Sequence, residues 1–196
     1  YTYAAVAGNY TVNQLALTGS IASGNTTYGS SLTPGSVTLT NKVGTDVLTT
    51  TASVNTSGNT STSGNLKAGT YTGIEYISAL GGADAGNYTY AAVAGNYTVN
   101  QLALTATIGT GSNTYGSSVT PGTASFSNKV SGDTVTASVV SIVSPSYSTS
   151  SNLIAGTYKQ SITSTLGGTD AANYTLTGGF TTATNNYTVN QLALTG

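Results

Sequence analysis

The ten-residue string NYTVNQLALT occurs three times in this chain of 196 residues, at 9–18, 96–105 and 186–195. Tyr10 and Tyr97 are 87 residues apart (97 − 10), and Tyr97 and Tyr187 are 90 apart (187 − 97). This period has the size of a small domain and exceeds the roughly 20–50 residues of solenoid repeats. We therefore expect two tandem modules, flanked by a fragment of a preceding repeat and by the start of a following one.

The string contains a change in its alternation of apolar residues. Tyr10 and Val12 lie at even positions, whereas Leu15 and Leu17 lie at odd positions. Because residues of one parity share a face of a strand, the two halves of the string should bury their side chains in different cores. The string is thus interpreted as the last strand of one module joined to the first strand of the next. The predicted junctions are Asn13–Gln14, Asn100–Gln101 and Asn190–Gln191.

These junctions divide the chain into four segments. They are residues 1–13, a C-terminal fragment of a preceding repeat; 14–100, the first module; 101–190, the second module; and 191–196, the first strand of the next repeat. No Gly, Ser or Pro separates Val12 from Leu15 or Val99 from Leu102, so a flexible linker is not expected at either junction. We expect the modules to stack end to end as an elongated, monomeric rod.

The bodies of the two modules align at the same offset of 87 residues. TYGSSLTPGSVTLTNKV (27–43) matches TYGSSVTPGTASFSNKV (114–130), and NLKAGTY (65–71) matches NLIAGTY (152–158). Runs of alternating β-branched and aromatic residues are separated by segments rich in Gly, Asn and Ser, and no long window has a helical period. The sequence therefore predicts a mostly β fold. In each TPG motif, Pro34 or Pro121 is expected to preset a turn, and the glycine that follows to supply a left-handed conformation.

The order of short motifs in each repeat carries a family resemblance. It reads TYG, P, GDTV, AGTY, NYTL and YTV, and is clearest in the second repeat, at Tyr115, Gly116, Pro121, 132–135, 155–158, 173–176 and 187–189. This order resembles the MBG (mostly beta-grasp) repeats of large bacterial surface adhesins, which occur beside YDG repeats in filamentous-haemagglutinin-like proteins. The first repeat departs from the pattern, with GTDV at 44–47 where the second has SGDTV at 131–135.

The resemblance implies two beta-grasp-like stalk modules outside the cell, on a bacterial surface. Such modules would project a binding domain or support cell–cell adhesion in the extracellular matrix of a biofilm, with neighbouring repeats of the same chain as their partners. An alternative reading of the residues is a carbohydrate-binding module, whose exposed Tyr, Asn and Thr side chains engage a polysaccharide or a host glycan.

The composition argues against several other classes of protein. Only 5% of residues are charged, and the four cations are all lysines, so a nucleic-acid partner is not expected because a run of phosphates could not be neutralised. No apolar run is long enough for a transmembrane helix, so membrane insertion of this segment is not expected. Cys, Met, His and Trp are absent, which excludes thiolate and imidazole chemistry from this segment.

Five acidic residues could still support catalysis or metal binding. Asp46 matches Asp133 and Asp84 matches Asp170, so each repeat has two carboxylates, as a glycosidase requires, whereas Glu75 has no match. Asp84 and Asp170 lie in GADAGN and GTDAAN, where bonding to the residue's own turn is the ordinary role of Asp. No short loop offers the clustered carboxylates of a calcium site. We therefore expect no enzyme activity, no metal and no cofactor.

Two further residue types recur in register. Lys42 and Lys129 occupy the same place in the motif NKV, where they could form an intramolecular Lys–Asn isopeptide or extend into water. The recurring tyrosines could form a platform for sugars or fill the cores, and we favour the cores because the chain has two Phe and no Trp.

Overall fold

The computed structural model describes residues 1–195; Gly196, the last residue of the predicted segment 191–196, lies outside the described residues. The chain is built almost entirely of short β-strands. Its only helical elements in this range are two single 3-10 turns, Ala85–Asn87 and Ala171–Asn173. The prediction of a mostly β fold is confirmed. No helix within residues 1–195 has the length and apolar character needed to cross a membrane.

The chain forms two compact units. The first contains Tyr1–Thr26, Ser31–Asn55 and Thr70–Thr98. The second contains Thr27–Ser30, Thr56–Gly69 and the chain from Val99 onward. Two segments of the first sequence repeat, 27–30 and 56–69, therefore belong to the second unit.

The first unit is centred on a five-stranded sheet. The strands between the N-terminus and Asn100 are β1 (Leu15–Ala16), β2 (Gly19–Thr27), β3 (Val37–Leu39), β4 (Thr49–Val54), β5 (Gly69–Gly81), β6 (Tyr88–Thr89) and β7 (Ala94–Asn100). The order in the sheet is β3-β2-β7-β5-β4, and β1 pairs in parallel with β6. A hydrophobic core of this unit contains Leu17, Ile21, Ile77, Tyr88 and Val93.

The second unit is divided among several smaller sheets. Its strands are β8 (Leu102–Ala103), β9 (Ala106–Ile108), β10 (Gly111–Thr114), β11 (Ala124–Phe126), β12 (Thr136–Ala137), β13 (Ser141–Ile142), β14 (Gly156–Tyr158), β15 (Gln160–Ile162), β16 (Leu166–Gly167), β17 (Tyr174–Thr175), β18 (Phe180–Thr181) and β19 (Tyr187–Asn190). β19 lies between β10, to which it is parallel, and β14, to which it is antiparallel. β8 pairs in parallel with β17, as β1 does with β6. Leu153, Tyr187 and Val189 form a buried cluster there.

The middle copy of the string shows the expected change of phase. Tyr97 and Val99 are buried at odd positions, and burial resumes at even positions with Leu104 and Ala106. β7 ends at Asn100 and β8 begins at Leu102, so the string supplies one strand on each side of Gln101.

The other two copies of the string each form a strand in one half only. In the first copy Tyr10 and Val12 are exposed, and Leu15–Ala16 is the part that forms a strand. In the third copy β19 occupies the first half, and Leu192 and Leu194 are exposed.

The glycines of the two TPG motifs are required for a reason that the sequence did not indicate. Neither Gly35 nor Gly122 has a left-handed φ, so the interpretation of a left-handed turn was wrong. A Cβ on Gly35 would lie 1.6 Å from the carbonyl oxygen of Ala22, and one on Gly122 would lie 1.9 Å from that of Gly109. Two backbones approach too closely here for any side chain between them.

Candidate functional site

A buried aspartate in the second unit accepts hydrogen bonds from two tyrosines. The hydroxyls of Tyr28 and Tyr174 donate to Asp133 Oδ2 over 2.5 and 2.6 Å. The two rings meet edge to face, with centroids 5.2 Å apart. Tyr28 is 1% exposed, Tyr174 2% and Asp133 4%, so the carboxylate is held almost entirely by protein groups.

Two serines complete the surroundings of Tyr28. Ser61 Oγ lies 2.6 Å and Ser63 Oγ 3.2 Å from the Tyr28 hydroxyl, and the Ser63 N–H donates to Asp133 Oδ1 over 3.2 Å. An ionised carboxylate can only accept, so the Tyr28 proton points to Asp133 and a serine hydroxyl can donate to the phenol oxygen. The result is a connected network, in which each bond polarises the next.

A second aspartate extends the network. Asp170 accepts from Thr62 Oγ1 over 2.5 Å, from the Thr62 N–H over 3.2 Å and from the Thr134 N–H over 2.9 Å. Close by, the side-chain oxygen of Asn173 accepts from the Ala68 N–H over 2.9 Å. Asp170 and Asn173 are both buried.

The network has two chemically distinct sides. We call the first side the donor site; it consists of Tyr28, Ser61–Ser63 and Ala68, all from segments of the first sequence repeat. We call the second the acceptor face; it consists of Asp133, Asp170, Asn173 and Tyr174, all from the second repeat. Hydroxyl and backbone N–H groups on the donor site meet carboxylate and amide oxygens on the acceptor face, so the two sides are complementary.

The hydrogen bonds decide the protonation of the two acids. Burial alone would raise the pKa of Asp133, but the bonds from Ser63, Tyr174 and Tyr28 outweigh it and the pKa is lowered. Burial is likewise outweighed at Asp170, whose pKa is lowered chiefly by bonds from Thr62 and Thr134. Burial together with the bond to Asp133 raises the pKa of both Tyr28 and Tyr174. A general acid of a glycosidase needs a raised pKa, whereas these carboxylates are stabilised in their ionised form.

The matching acids of the first unit keep the same internal bonds. Tyr88 donates to Asp46 Oδ2 over 2.5 Å, and Asp84 Oδ2 accepts from the Val47 N–H over 2.7 Å. Asp84 and Asp170 thus bond to backbone of a distant segment, 37 and 36 residues away, and neither caps the 3-10 turn that follows it. The interpretation that they bond to their own turns was wrong.

The predicted junction glutamines have equivalent partners. Gln14 Nε2 donates to the Gly86 carbonyl over 2.8 Å, and Gln101 Nε2 donates to the Ala172 carbonyl over 2.9 Å. Each glutamine therefore joins the start of its repeat to the 3-10 turn of the same unit. The Asn100 carbonyl accepts from the Tyr28 N–H over 2.8 Å, whereas Asn13 is an exposed residue ahead of β1.

Both recurring lysines contact a backbone carbonyl. Lys42 Nζ donates to the Asp46 carbonyl over 2.6 Å, and Lys129 Nζ donates to that of Asp133. The ammonium groups thus close the loop that carries each aspartate. The isopeptide stays a prediction, to be checked by intact mass because each such bond removes one ammonia.

Sequence reasoning missed a second pair of buried polar residues. Glu75 is fully buried; its Oε1 accepts from the Gly35 N–H over 2.8 Å, and its Oε2 has no partner among residues 1–195. Gln160 Oε1 accepts from the Gly122 N–H over 2.7 Å, and its Nε2 donates to the Gly109 carbonyl over 3.0 Å. The two side chains are structural equivalents although they lie 85 residues apart in the sequence. An alignment of the repeats at 87 residues therefore does not pair them.

The serines and threonine of the donor site were also missed, although a signal was present. The tripeptide STS at 61–63 recurs unchanged at 148–150, within loops that otherwise differ. Among the recurring tyrosines, most are buried: Tyr28, Tyr88, Tyr97, Tyr174 and Tyr187. Tyr71, Tyr115 and Tyr158 are half-buried and Tyr10 is exposed, so the interpretation as core residues agrees with the five buried tyrosines and does not hold for Tyr10.

Comparison with known proteins gives no relative. No protein-family model matches the sequence, and neither a curated protein nor a solved structure matches it significantly. Within residues 1–195 there is no group of three or more acidic, histidine or cysteine side chains that could hold a metal ion.

Proposed function

We propose that this chain is a pair of tandem stalk modules from an extracellular adhesin on a bacterial surface. In this role the modules hold a binding domain away from the cell or support cell–cell adhesion in a biofilm matrix. The observation that carries the proposal is the network of the second unit, in which donors from one sequence repeat bond to carboxylates of the next.

The chemistry of this network suits a spacer. Hydrogen bonds are directional, so a buried and connected set of them fixes one geometry more strictly than apolar contact does. The network links residues about 105 positions apart in the sequence, as Tyr28 and Asp133 are, and thereby ties consecutive repeats together. A stalk needs this property, because a flexible connection between repeats would let the array collapse.

The composition supports the same proposal. The chain has very few charges and no cysteine, and a polar network stabilises it where large apolar side chains are scarce. Such a chain can fold outside the cell without disulfides. Its partners in this proposal are neighbouring repeats.

Small-angle scattering tests the proposal through the shape of the particle in solution. We expect the chain to be an elongated monomer with a narrow distribution of inter-module angles. Replacing Asn100–Gln101 with a Gly/Ser run changes the direct connection, and adding Tyr28→Phe weakens the network as well; together they should broaden that distribution while each module stays folded. A compact native particle, or the same broad distribution before and after the replacement, would contradict the stalk.

A glycan array tests the competing carbohydrate-binding function with the same protein. Tyr1, Tyr3, Tyr10, Tyr76 and Tyr147 are exposed; of these, Tyr76 and Tyr147 lie within the two modules and are substituted to test whether any binding uses an aromatic face. We expect no reproducible binding to any glycan. Binding that Tyr76→Ala or Tyr147→Ala abolishes would favour the carbohydrate-binding module and replace the stalk proposal.

A further inference from the structure

The donor site occurs a second time in the second unit. Tyr115 donates to Ser148 Oγ over 2.9 Å, and Ser150 Oγ lies 3.4 Å from the same hydroxyl. Tyr115, Ser148 and Ser150 each lie 87 residues after Tyr28, Ser61 and Ser63. Thr149 and Ala155 stand where Thr62 and Ala68 stand in the first copy, so every donor of the first site has its counterpart here.

This second donor site is open. Among residues 1–195 no carboxylate accepts from the Tyr115 hydroxyl, and Tyr115 is only half-buried. Ser148 is half-buried and Ser150 is exposed, whereas Ser61 and Ser63 of the occupied site are buried and half-buried. Tyr115 and Ser148 line a groove of about 490 Å³ together with Leu192 and Leu194, which are 57% and 93% exposed.

An unoccupied acceptor face also occurs, in the first unit. Asp46, Asp84, Asn87 and Tyr88 match the four residues of the acceptor face in the second unit. Tyr88 bonds to Asp46 and accepts from the Val43 N–H over 3.0 Å, as Tyr174 bonds to Asp133 and accepts from the Val130 N–H over 3.1 Å. Asp46 and Asp84 are nevertheless half-buried and Asn87 is exposed, whereas their counterparts are buried.

Residues 1–195 thus contain one occupied donor site, one open donor site and one uncovered acceptor face. We propose that the open site at Tyr115 is a docking site for the acceptor face of a further repeat of this sequence, joined in line through the third NYTVNQLALT string. The inference rests on the proposed function and names the partner that the stalk modules bind.

The third string favours an in-line repeat as the occupant. Leu192 and Leu194 are the counterparts of Leu102 and Leu104, and Leu104 is only 8% exposed, with its N–H bonded to the Thr175 carbonyl beside Tyr174. The string that leads into the second repeat therefore packs against the acceptor-face strand of that repeat. The same residues at 191–194 border the open site, where a following acceptor face would cover them.

The test compares one substitution in two chains. The first is the full chain. In the second, a further copy of residues 106–195 follows Thr195 in place of Gly196, so that the third string is followed by the same residues as the second string. Tyr28→Phe serves as the positive control and should lower the thermal midpoint in both chains by roughly 5 °C or more, because it removes a hydroxyl from a buried network. Tyr115→Phe should have almost no effect in the original chain and an effect like that of Tyr28→Phe in the lengthened chain.

A double-mutant cycle assigns the partner in the lengthened chain. Tyr115→Phe is combined with Asp→Asn at the second copy of Asp133, the one in the appended repeat. The two substitutions should be strongly non-additive, whereas Tyr115→Phe and Asp133→Asn in the original repeat should be additive. Hydrogen exchange gives a second readout, since the Thr149, Ser150 and Ala155 N–H groups should become protected only in the lengthened chain.

Several results would overturn the inference. They are an equal, small effect of Tyr115→Phe in both chains, an appended repeat that stays unfolded, and additivity of the paired substitutions. Self-association of the original chain that Tyr115→Phe abolishes would identify a second copy as the occupant instead. Stabilisation of the original chain by free succinate, lost in Tyr115→Phe, would indicate a small carboxylate ligand. Failure of docking alone leaves the scattering result, and with it the stalk proposal, intact.

Discussion

Asp133 and Asp46 occupy equivalent positions in the two repeats. Each accepts a hydrogen bond from the equivalent tyrosine of its own repeat, Tyr174 or Tyr88, yet the surroundings of the two aspartates differ. Asp133 is buried beneath a donor site, whereas Asp46 is half-buried. The tyrosines of the two donor sites differ likewise: burial and the bond to Asp133 raise the pKa of Tyr28, whereas hydrogen bonding with Ser148 and Ser150 lowers the pKa of Tyr115. The Asp–Tyr bond thus forms within a repeat, and the carboxylate is buried only where residues of another repeat contact it.

Replacing each aspartate separately should give the largest difference in stability between the two equivalent sites. Asp133→Ala leaves the Tyr28 and Tyr174 hydroxyls without their acceptor in a buried site, so we expect a loss of about 3 kcal/mol or more in the free energy of unfolding. Asp46→Ala should cost about 1 kcal/mol, because water can replace the carboxylate at a half-buried site. Urea denaturation followed by tyrosine fluorescence measures both. Equal losses would show that the donor site contributes nothing to the network.

Acid should act through the acceptor face of the second unit. The pKa values of Asp133 and Asp170 are lowered in the folded state, so their contribution to stability is present above the unfolded value of about 3.9 and is lost as the pH falls through the folded values. We expect the urea midpoint to fall steeply below about pH 4. Asp133→Asn is the control, and its deficit relative to the native chain should shrink as the pH falls. A deficit independent of pH would contradict this account.

Replacing a threonine of each donor site should sharpen the comparison between the occupied and the open copy. Thr62→Val keeps the shape of the side chain but removes the hydroxyl that donates to Asp170, which we expect to cost about 1–1.5 kcal/mol since the acceptor is charged. Thr149→Val, at the matching position of the open site, should change stability by less than about 0.5 kcal/mol. Thermal unfolding of both variants decides the matter, and a larger effect at Thr149 would reverse our assignment of the two sites.

The smallest expected effect concerns Glu75 and Gln160. Glu75→Gln places an amide where the Oε2 atom has no partner, and Gln160 shows that an amide at the equivalent position donates to a backbone carbonyl. We expect a gain of up to about 1 kcal/mol. Gln160→Glu is the reciprocal control and should destabilise the chain. A loss of stability in Glu75→Gln would mean that the two sites are not equivalent.

The sequence was sufficient for the class of fold and for the phase change, because both follow from the two-residue period of strands. Tyr97 and Val99 on one side of Asn100, and Leu104 on the other, show the alternation in the burial itself. The network was not predictable, since Tyr28 meets Asp133 across 105 residues and no local pattern encodes such a pairing. The role predicted for Gly35, a left-handed turn, was wrong because turn statistics do not report a close approach between backbones that are distant in the sequence. The Glu75–Gln160 pair was hidden by a two-residue slip between the repeats.

The position of β19 has a consequence for mechanical load. In the second unit β10 comes early, β19 comes last, and the two strands run parallel, with Gly111 opposite Tyr187 and Thr114 opposite Asn190. Tension applied between Val99 and Thr195 therefore pulls the two strands in opposite directions along their common axis. Sliding them apart requires all of their hydrogen bonds to yield together, whereas peeling would break them one after another. The strand arrangement alone thus makes this unit resist stretching in shear, the direction in which a tether between two surfaces is loaded.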